Sequence, residues 1–306
     1  MSRENERIAR ARGYHLLSRM LLEGAREVPA AAVSLVVPDG TDLEELQTEY
    51  VAAFDLGVPP YASTFLDKDG LVGGAVTRNV ADAIHAYGKG PVSTDVGADH
   101  LGVMLAHLGN LCRVGVESEA ARFAREYLLS WLPALVASLE PLEVPLWSGV
   151  VEMALGLVCD HACEQDSGRQ PIHLPVATGH PLMDDRSGLK DVATFLSRAA
   201  SCGMFVTDAD CAKIGRKLDL PRGFGHRRAR IETMLHSAAE YGALVPLCDM
   251  LIELADHRRV HMETLVGGHF DTSLLRPWTD KLGTTQSMLE KLRHGAEAAR
   301  TAGDPR

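Results

Sequence analysis

The stretch GADHLGVMLAHLGNL, residues 97–111, decides the fold class and raises the first question about function. Leu101, Leu105 and Leu108 recur at i, i+4 and i+7, and this spacing predicts a helix with one buried face. Asp99 and His100 stand directly ahead of that face, in the first turn of the predicted helix. An aspartate there accepts hydrogen bonds from free N–H groups and suits the positive end of the helix dipole. The pair is therefore either a helix cap or a recognition site.

Helical spacing of apolar residues continues along most of the chain. Further stripes run through Tyr14–Leu21, Leu43–Phe54, Val80–Tyr87, Ala120–Leu135, Trp147–Val158, Cys211–Leu218, Ile231–Ala238 and Leu244–Leu254. Only AAVSLVV, residues 31–37, has the composition of a strand, and a single strand cannot form a sheet. The sequence therefore predicts an all-α protein with a helical C-terminal extension.

Several helix boundaries are also predicted. Thr41 with Glu44, and Thr207 with Asp210, have the spacing of capping boxes, in which a hydroxyl and an acid satisfy the free N–H groups of a first turn. Pro133 falls inside the stripe that ends at residue 135, so that helix is expected to kink or end just before the proline.

The chain divides into four predicted regions. Residues 1–163 form a helical core, and residues 164–188 form an exposed connection with three prolines, three glycines and no apolar periodicity. Residues 189–265 form the helical extension. Residues 266–306 are expected to be a weakly structured tail, with a last weak helix hinted at by Met288, Leu289 and Leu292.

Composition excludes several classes of protein. A hydrophobic content of 46% over 306 residues suffices for a globular core, and no apolar run approaches the ~20 residues of a membrane-spanning helix. The N-terminus lacks the pattern of an export signal, and six cysteines at mostly apolar helical positions suggest reduced thiols. The formal net charge of −10 argues against nucleic-acid binding and suits a cationic partner. A cytoplasmic protein without stable membrane insertion is expected.

Motifs for catalysis or metal binding are weak. The sequence contains no phosphate-binding glycine loop, nucleophile elbow or H-E-x-x-H motif. In CDHAC, residues 159–163, Cys159 and Cys163 share one helix face while His161 points away, so at most two ligands converge. We therefore predict no metal, no cofactor and no catalytic residue.

The segment LPRGFGHRRAR, residues 220–230, places Arg227, Arg228 and Arg230 in a first helical turn. Free N–H groups and guanidinium groups there could hold an anion such as phosphate. The more usual interpretation of such a charged run is a solvated helix face.

Three segments in order resemble the TorD/DmsD/NarJ family of cytoplasmic chaperones for molybdenum oxidoreductases. They are YVAAFDLGVPPYASTFLDKDG (50–70), ADHLGVMLAHLGNL (98–111) and FAREYLLSWLPALVASL (123–139). The resemblance covers residues 5 to about 163, and residues 220–244 are similar to a C-terminal segment of some longer members. The family acid that usually lies four residues before the histidine is replaced by Val96, with Asp95 one step earlier.

The resemblance implies a helical bundle that binds a peptide and catalyses nothing. The expected partners are the twin-arginine signal peptide and the apo form of a molybdenum oxidoreductase, and the expected state is a monomer or homodimer. A signal peptide offers two guanidinium groups and an apolar segment, so its binding site needs acids beside aromatic and apolar surface. The candidate peptide-binding residues are Asp99, His100, Asp95, Tyr61, Tyr127 and Trp131. The alternative is a helical metal-binding protein or hydrolase that uses Asp99, His100, Cys159 and Cys163.

Overall fold

A computed structural model describes residues 3–24, 40–87, 96–163, 180–183, 186–221, 223–267 and 275–302. Within these ranges the regular elements are helical, and the β structure consists of one isolated antiparallel bridge between Tyr61 and His100. The predicted all-α fold is confirmed. The strand expected at residues 31–37 lies outside the described residues.

The helices follow one another with short connections. The first eight are α1 (Arg3–Glu23), α2 (Leu43–Tyr50), α3 (Ala62–Leu66), α4 (Ala75–Tyr87), α5 (Leu101–Val114), α6 (Glu117–Phe123), α7 (Leu132–Leu139) and α8 (Pro145–Cys163). The rest are α9 (Leu189–Leu196), α10 (Ala199–Cys202), α11 (Asp208–Lys217), α12 (Arg227–Glu240), α13 (Leu244–Gly267) and α14 (Arg276–Ala302). Two single π-helical turns, Val51–Asp55 and Ala124–Leu128, extend α2 and α6.

Helix α5, which carries the opening stretch, packs most extensively against α1. Two glycines seven residues apart make this close approach possible. A Cβ atom on Gly102 would lie 2.7 Å from Leu22, and one on Gly109 would lie 2.9 Å from His15. The predicted buried face of α5 therefore owes its tight contact with α1 as much to small residues as to leucines.

Helix α8 lies against α1, α2, α7 and the π-helical turn at Ala124–Leu128. Among the described helices it is the one long and apolar enough to meet the criteria for a membrane span. Trp147, Val151, Ala154 and Val158 on the predicted stripe are all buried inside the bundle, and the Trp147 indole N–H donates to the Leu46 carbonyl at 2.8 Å. Its apolar surface is thus used as core.

One of the two predicted capping boxes is confirmed. The Thr207 hydroxyl accepts from the Asp210 backbone N–H at 3.0 Å, and Asp210 accepts from the Thr207 N–H at 2.9 Å. Asp210 also receives two hydrogen bonds from the Arg258 Nη2 group, at 3.0 and 3.1 Å, and both side chains are buried. The carboxylate of Asp210 therefore has partners on both oxygens.

The other predicted capping box, Thr41 with Glu44, is wrong by one residue. Asp42 is the N-cap of α2, and its Oδ1 accepts from the Glu44 N–H at 2.9 Å. A carboxylate one position closer to the helix outcompetes the threonine hydroxyl, because a charged acceptor makes the stronger hydrogen bond to a free N–H.

The helix interruption predicted at Pro133 is confirmed. The wide turn Ala124–Leu128 ends the preceding helix, and α7 begins at Leu132 with the proline in its first turn. The carbonyl of Ser130, in the break, accepts from the Trp278 indole N–H at 2.9 Å. Trp278 of α14 thus provides a hydrogen-bond donor for the break between α6 and α7.

The region after residue 266 differs from the weakly structured tail that we expected. Helix α14 runs for 27 residues from Arg276 to Ala302. Trp278, Leu282, Thr285 and Leu289 repeat at helical spacing and are buried, and the Thr285 hydroxyl donates to the Cys202 carbonyl at 2.7 Å. One of these four positions holds a polar residue, Thr285, so an analysis based on apolar residues alone missed the stripe.

The connection predicted at 164–188 falls mostly on residues that the structure does not describe. The described part holds one 3₁₀ turn, Pro181–Met183. Two helices that follow the connection pack against helices that precede it: α13 packs against α7, and α10 packs against α3. The division into a core and an extension stays a prediction.

Candidate functional site

The segment before α5 runs beside the segment before α3, and this brings the acid–histidine pair next to Tyr61. The Leu101 N–H donates to the Pro60 carbonyl at 2.8 Å, and the Ala62 N–H donates to the Asp99 carbonyl at 3.0 Å. These two backbone bonds flank the Tyr61–His100 bridge. Three of the six predicted peptide-binding residues are thereby joined at one place.

His100, rather than Asp99, caps α5. The His100 Nδ1 accepts from the Gly102 N–H at 3.1 Å, and its backbone is extended as an N-cap requires. Of the two alternatives for Asp99, the helix cap is wrong. Asp99 lies one residue too early, and its Oδ2 instead accepts from the Ser63 N–H at 2.9 Å, in the first turn of α3.

The second carboxylate oxygen of Asp99 has no partner. The residue is completely buried, and its Oδ1 makes no hydrogen bond within the described residues. A buried acceptor without a donor costs about 1–3 kcal/mol, more for a charged group. Asp99 therefore positions α3 through Ser63 and keeps one acceptor unused.

Burial makes the histidine of the pair a neutral group. His100 is 4% exposed, and this desolvation lowers its pKa to about 4 although the neighbouring Asp99 acts in the opposite direction. The Tyr61 ring meets the His100 imidazole edge to face with a centroid separation of 4.8 Å. Tyr61 is half-buried, and its pKa is raised mainly by burial and further by Asp99 and Asp55.

The remaining candidate residues lie elsewhere or outside the described ranges. Trp131 is fully buried, and its ring contacts Phe65 with centroids 5.6 Å apart, so it offers no accessible aromatic surface. Tyr127 is half-buried and stacks on Phe123 at 4.9 Å in the wide turn of residues 124–128. Asp95 is not among the described residues.

Exposed apolar and acidic side chains flank Tyr61 in sequence. Leu56 is 74% exposed, and Leu71 is 70% exposed in the loop that follows α3. Ser63 fixes that loop because its hydroxyl accepts from the Gly73 N–H at 3.0 Å. We call these residues the Tyr61 surface; its members are Asp55, Leu56, Tyr61, Asp67, Asp69, Leu71 and Val72.

The sequence analysis missed most of the Tyr61 surface. Leu56, Leu71 and Val72 lie outside every helical stripe, and this is the signal that could have indicated exposed apolar residues. The sequence analysis did not select Asp67 either. Its Oδ2 accepts a hydrogen bond from the Ala75 N–H at 3.3 Å and so closes the loop between α3 and α4, a contact that belongs to no sequence motif.

The two weaker motifs are explained by contacts within the chain. Cys159 is buried and Cys163 is exposed, whereas His161 points toward helix α1. Arg227 is enclosed: it donates to the Ser197 carbonyl at 2.5 Å, and its guanidinium lies 3.7 Å from the centroid of the Phe205 ring. The predicted solvated arginine face is wrong for Arg227, whose pKa burial lowers to about 10.

Comparisons with known proteins match part of the chain. The family model described as nitrate reductase delta subunit matches residues 21–137. Two proteins named Chaperone protein TorD, from Vibrio vulnificus strains YJ016 and CMCP6, are each 36% identical over 114 residues. That alignment covers 30% of this chain and 53% of each relative, so the chain spans about half the length of the curated relatives it matches. No solved structure matches. The resemblance drawn from the three sequence segments is confirmed.

Proposed function

We propose, from the TorD/NarJ-family match over residues 21–137, that this protein is a chaperone for the maturation of a molybdenum oxidoreductase. Within that role we propose that the Tyr61 surface binds the twin-arginine signal peptide of the client before export. The observation that carries the proposal is the coincidence of the family match with exposed acidic and apolar side chains that flank Tyr61 in sequence.

The charges of this surface suit the two guanidinium groups of such a peptide. Asp55 and Asp69 are exposed and Asp67 is half-buried, and a guanidinium group binds a carboxylate through two parallel hydrogen bonds. The net charge of −10 for the whole chain attracts a cationic peptide from a distance.

The apolar residues suit the segment that follows the arginines. Leu56, Leu71 and Val72 are each more than half exposed, and they flank the half-buried Tyr61 in sequence. A tyrosine with one accessible face is a typical anchor, because it contributes large contact area at a small cost in conformational entropy.

Asp99 and His100 act beneath this surface as positioning residues. Asp99 fixes α3 through the Ser63 N–H, and His100 supports the edge of the Tyr61 ring.

The test is calorimetric titration of the full chain with a synthetic twin-arginine signal peptide. Tyr61→Ala is expected to weaken binding by about 1–2 kcal/mol, the scale of an aromatic anchor. Asp55→Asn is expected to weaken it by about 0.2–1 kcal/mol, as for an exposed ion pair. A peptide with two lysines should bind less tightly than the arginine peptide, because lysine cannot form the bidentate contact.

The matched control is Tyr241→Ala, which removes an equally large exposed ring outside the family match. Binding that is lost equally in the Tyr61 and Tyr241 variants, or that ignores the exchange of arginine for lysine, would remove the Tyr61 surface from the proposal. Absence of any binding by the wild-type chain would remove the signal peptide itself.

A further inference from the structure

Three side chains that can bind a metal ion converge where the ends of α5 and α8 meet the start of α6. They are Cys112, Glu117 and His161, and their ligand atoms all lie within 4.8 Å of one another. Cys112 and His161 are buried, and Glu117 reaches them from the first turn of α6. We propose that these residues form a binding site for a zinc-class transition-metal dication.

The donor set has the chemistry that zinc selects. One thiolate, one imidazole and one carboxylate are all established zinc ligands, and three protein ligands leave a fourth position for water. The His161 Nε2 lies 3.0 Å from the Glu117 Oε2. Neighbouring ligand atoms of a tetrahedral zinc ion are roughly 3.3–3.7 Å apart, so this contact places the imidazole and the carboxylate group within reach of one ion.

Glu117 has an oxygen available for the ion. Its Oε2 faces both His161 and the Arg10 guanidinium, the latter at 3.3 Å, whereas its Oε1 is buried and has no hydrogen-bond partner among the described residues. A buried carboxylate oxygen without a donor is unfavourable, and coordination of a cation relieves it. Arg10 can stay on Oε2 while Oε1 coordinates.

Tyr14 provides the outer support that a metal-binding histidine needs. Its hydroxyl lies 3.0 Å from the His161 Nδ1 and 3.2 Å from the Leu157 carbonyl. When a metal occupies Nε2, the Nδ1–H donates to the Tyr14 oxygen and the hydroxyl donates to Leu157. This arrangement, in which the second imidazole nitrogen is held by a fixed acceptor, is general at protein zinc sites.

Binding requires the Cys112 thiol to lose its proton to solvent as the sulfur–metal bond forms. Burial and the nearby Glu117 raise the pKa of this thiol to about 12, whereas Arg10 and Arg7 act in the opposite direction. Burial also lowers the pKa of His161 to about 4, so its imidazole is neutral at pH 7, as coordination requires. Metal affinity is therefore expected to rise with pH.

The experiment is titration of the untagged, reduced, full-length chain with Co²⁺, followed by competition with Zn²⁺. Co²⁺ bound to a thiolate gives an intense near-ultraviolet charge-transfer absorption that histidine and carboxylate ligands alone do not give. Wild-type protein is expected to develop this absorption with one equivalent of Co²⁺ and to lose it when Zn²⁺ is added.

Cys112→Ala should abolish the absorption, whereas the matched control Cys159→Ala, which removes another buried cysteine of the same region, should retain it. Glu117→Gln should weaken Co²⁺ binding by about tenfold or more without loss of folding. If the Cys112 variant does not fold, this second variant tests the proposal in its place. Absence of the absorption in folded wild-type protein, its persistence in Cys112→Ala, or unchanged affinity in Glu117→Gln overturns the proposal. None of these outcomes depends on peptide binding.

Discussion

Two buried aspartates, Asp99 and Asp210, illustrate two uses of the same side chain. Asp210 in the C-terminal half closes a capping box and receives two hydrogen bonds from the buried Arg258, so both of its oxygens are satisfied. Asp99 in the family-matching half accepts one backbone hydrogen bond and leaves Oδ1 unpaired. A saturated carboxylate is fully explained by its structural partners, whereas an unsaturated one keeps an acceptor that no described residue uses.

Removal of the partner of Asp210 should have the largest effect. Arg258→Met leaves a buried carboxylate without its cation, and the free energy of unfolding is expected to fall by about 3–5 kcal/mol. Chemical denaturation measures this loss. The double variant Asp210→Asn with Arg258→Met removes the unpaired charge as well and should recover part of it. Two additive losses would contradict the view that charge compensation is what Arg258 supplies.

Removal of the Asp99 side chain should cost less. Asp99→Ala leaves the Ser63 N–H without an acceptor, and we expect a loss of about 1–3 kcal/mol in the free energy of unfolding. Asp99→Asn keeps an acceptor for Ser63 and should be milder in thermal and chemical unfolding. Equal losses for the Asn and Ala variants would mean that the charge of Asp99, rather than its hydrogen bond, stabilises α3.

The smallest expected effect is on pH dependence. His100 has a folded pKa of about 4 against an ordinary value near 6.5, so the unfolded state binds the proton more tightly. The stability contributed by the neutral imidazole is complete above about pH 6.5 and is lost as the pH falls toward 4.

His100→Asn keeps a capping acceptor but removes this titration. Between pH 7 and 5.5 the unfolding free energy of the wild type should therefore decrease by roughly 1 kcal/mol more than that of the variant. Urea denaturation at the two pH values measures the difference. Parallel decreases in the two proteins would show that His100 is not protonated on unfolding in this window.

Local features of the fold were predictable from sequence, and long-range partners were not. The Thr207–Asp210 box and the break at Pro133 depend on neighbouring residues, so their spacing suffices to predict them. The hydrogen bond from the Ser63 N–H to Asp99 joins residues 36 positions apart, and no apolar periodicity in the sequence predicts it. The alternative that Asp99 caps α5 is wrong for that reason.

The candidate site shows the same limit. The family resemblance indicated Tyr61, Asp99 and His100, and the structure brings these three together. It also indicated Trp131, whose ring is buried against Phe65 because the break at residues 129–131 turns it inward. Whether an aromatic residue in a motif faces the solvent depends on neighbouring helices, and the motif does not specify them.

The hydrogen bond from Trp278 to Ser130 has a consequence for the order of events during synthesis. Its two partners are separated by 148 residues, and at about 5–20 residues per second the ribosome needs roughly 7–30 s to make the second after the first. During this interval the residues of the family match, 21–137, have all been synthesised, but the Ser130 carbonyl still lacks its hydrogen bond from Trp278. A chain stalled before residue 278 should be cleaved readily at the turn of residues 129–131 by a protease, and a completed one should resist.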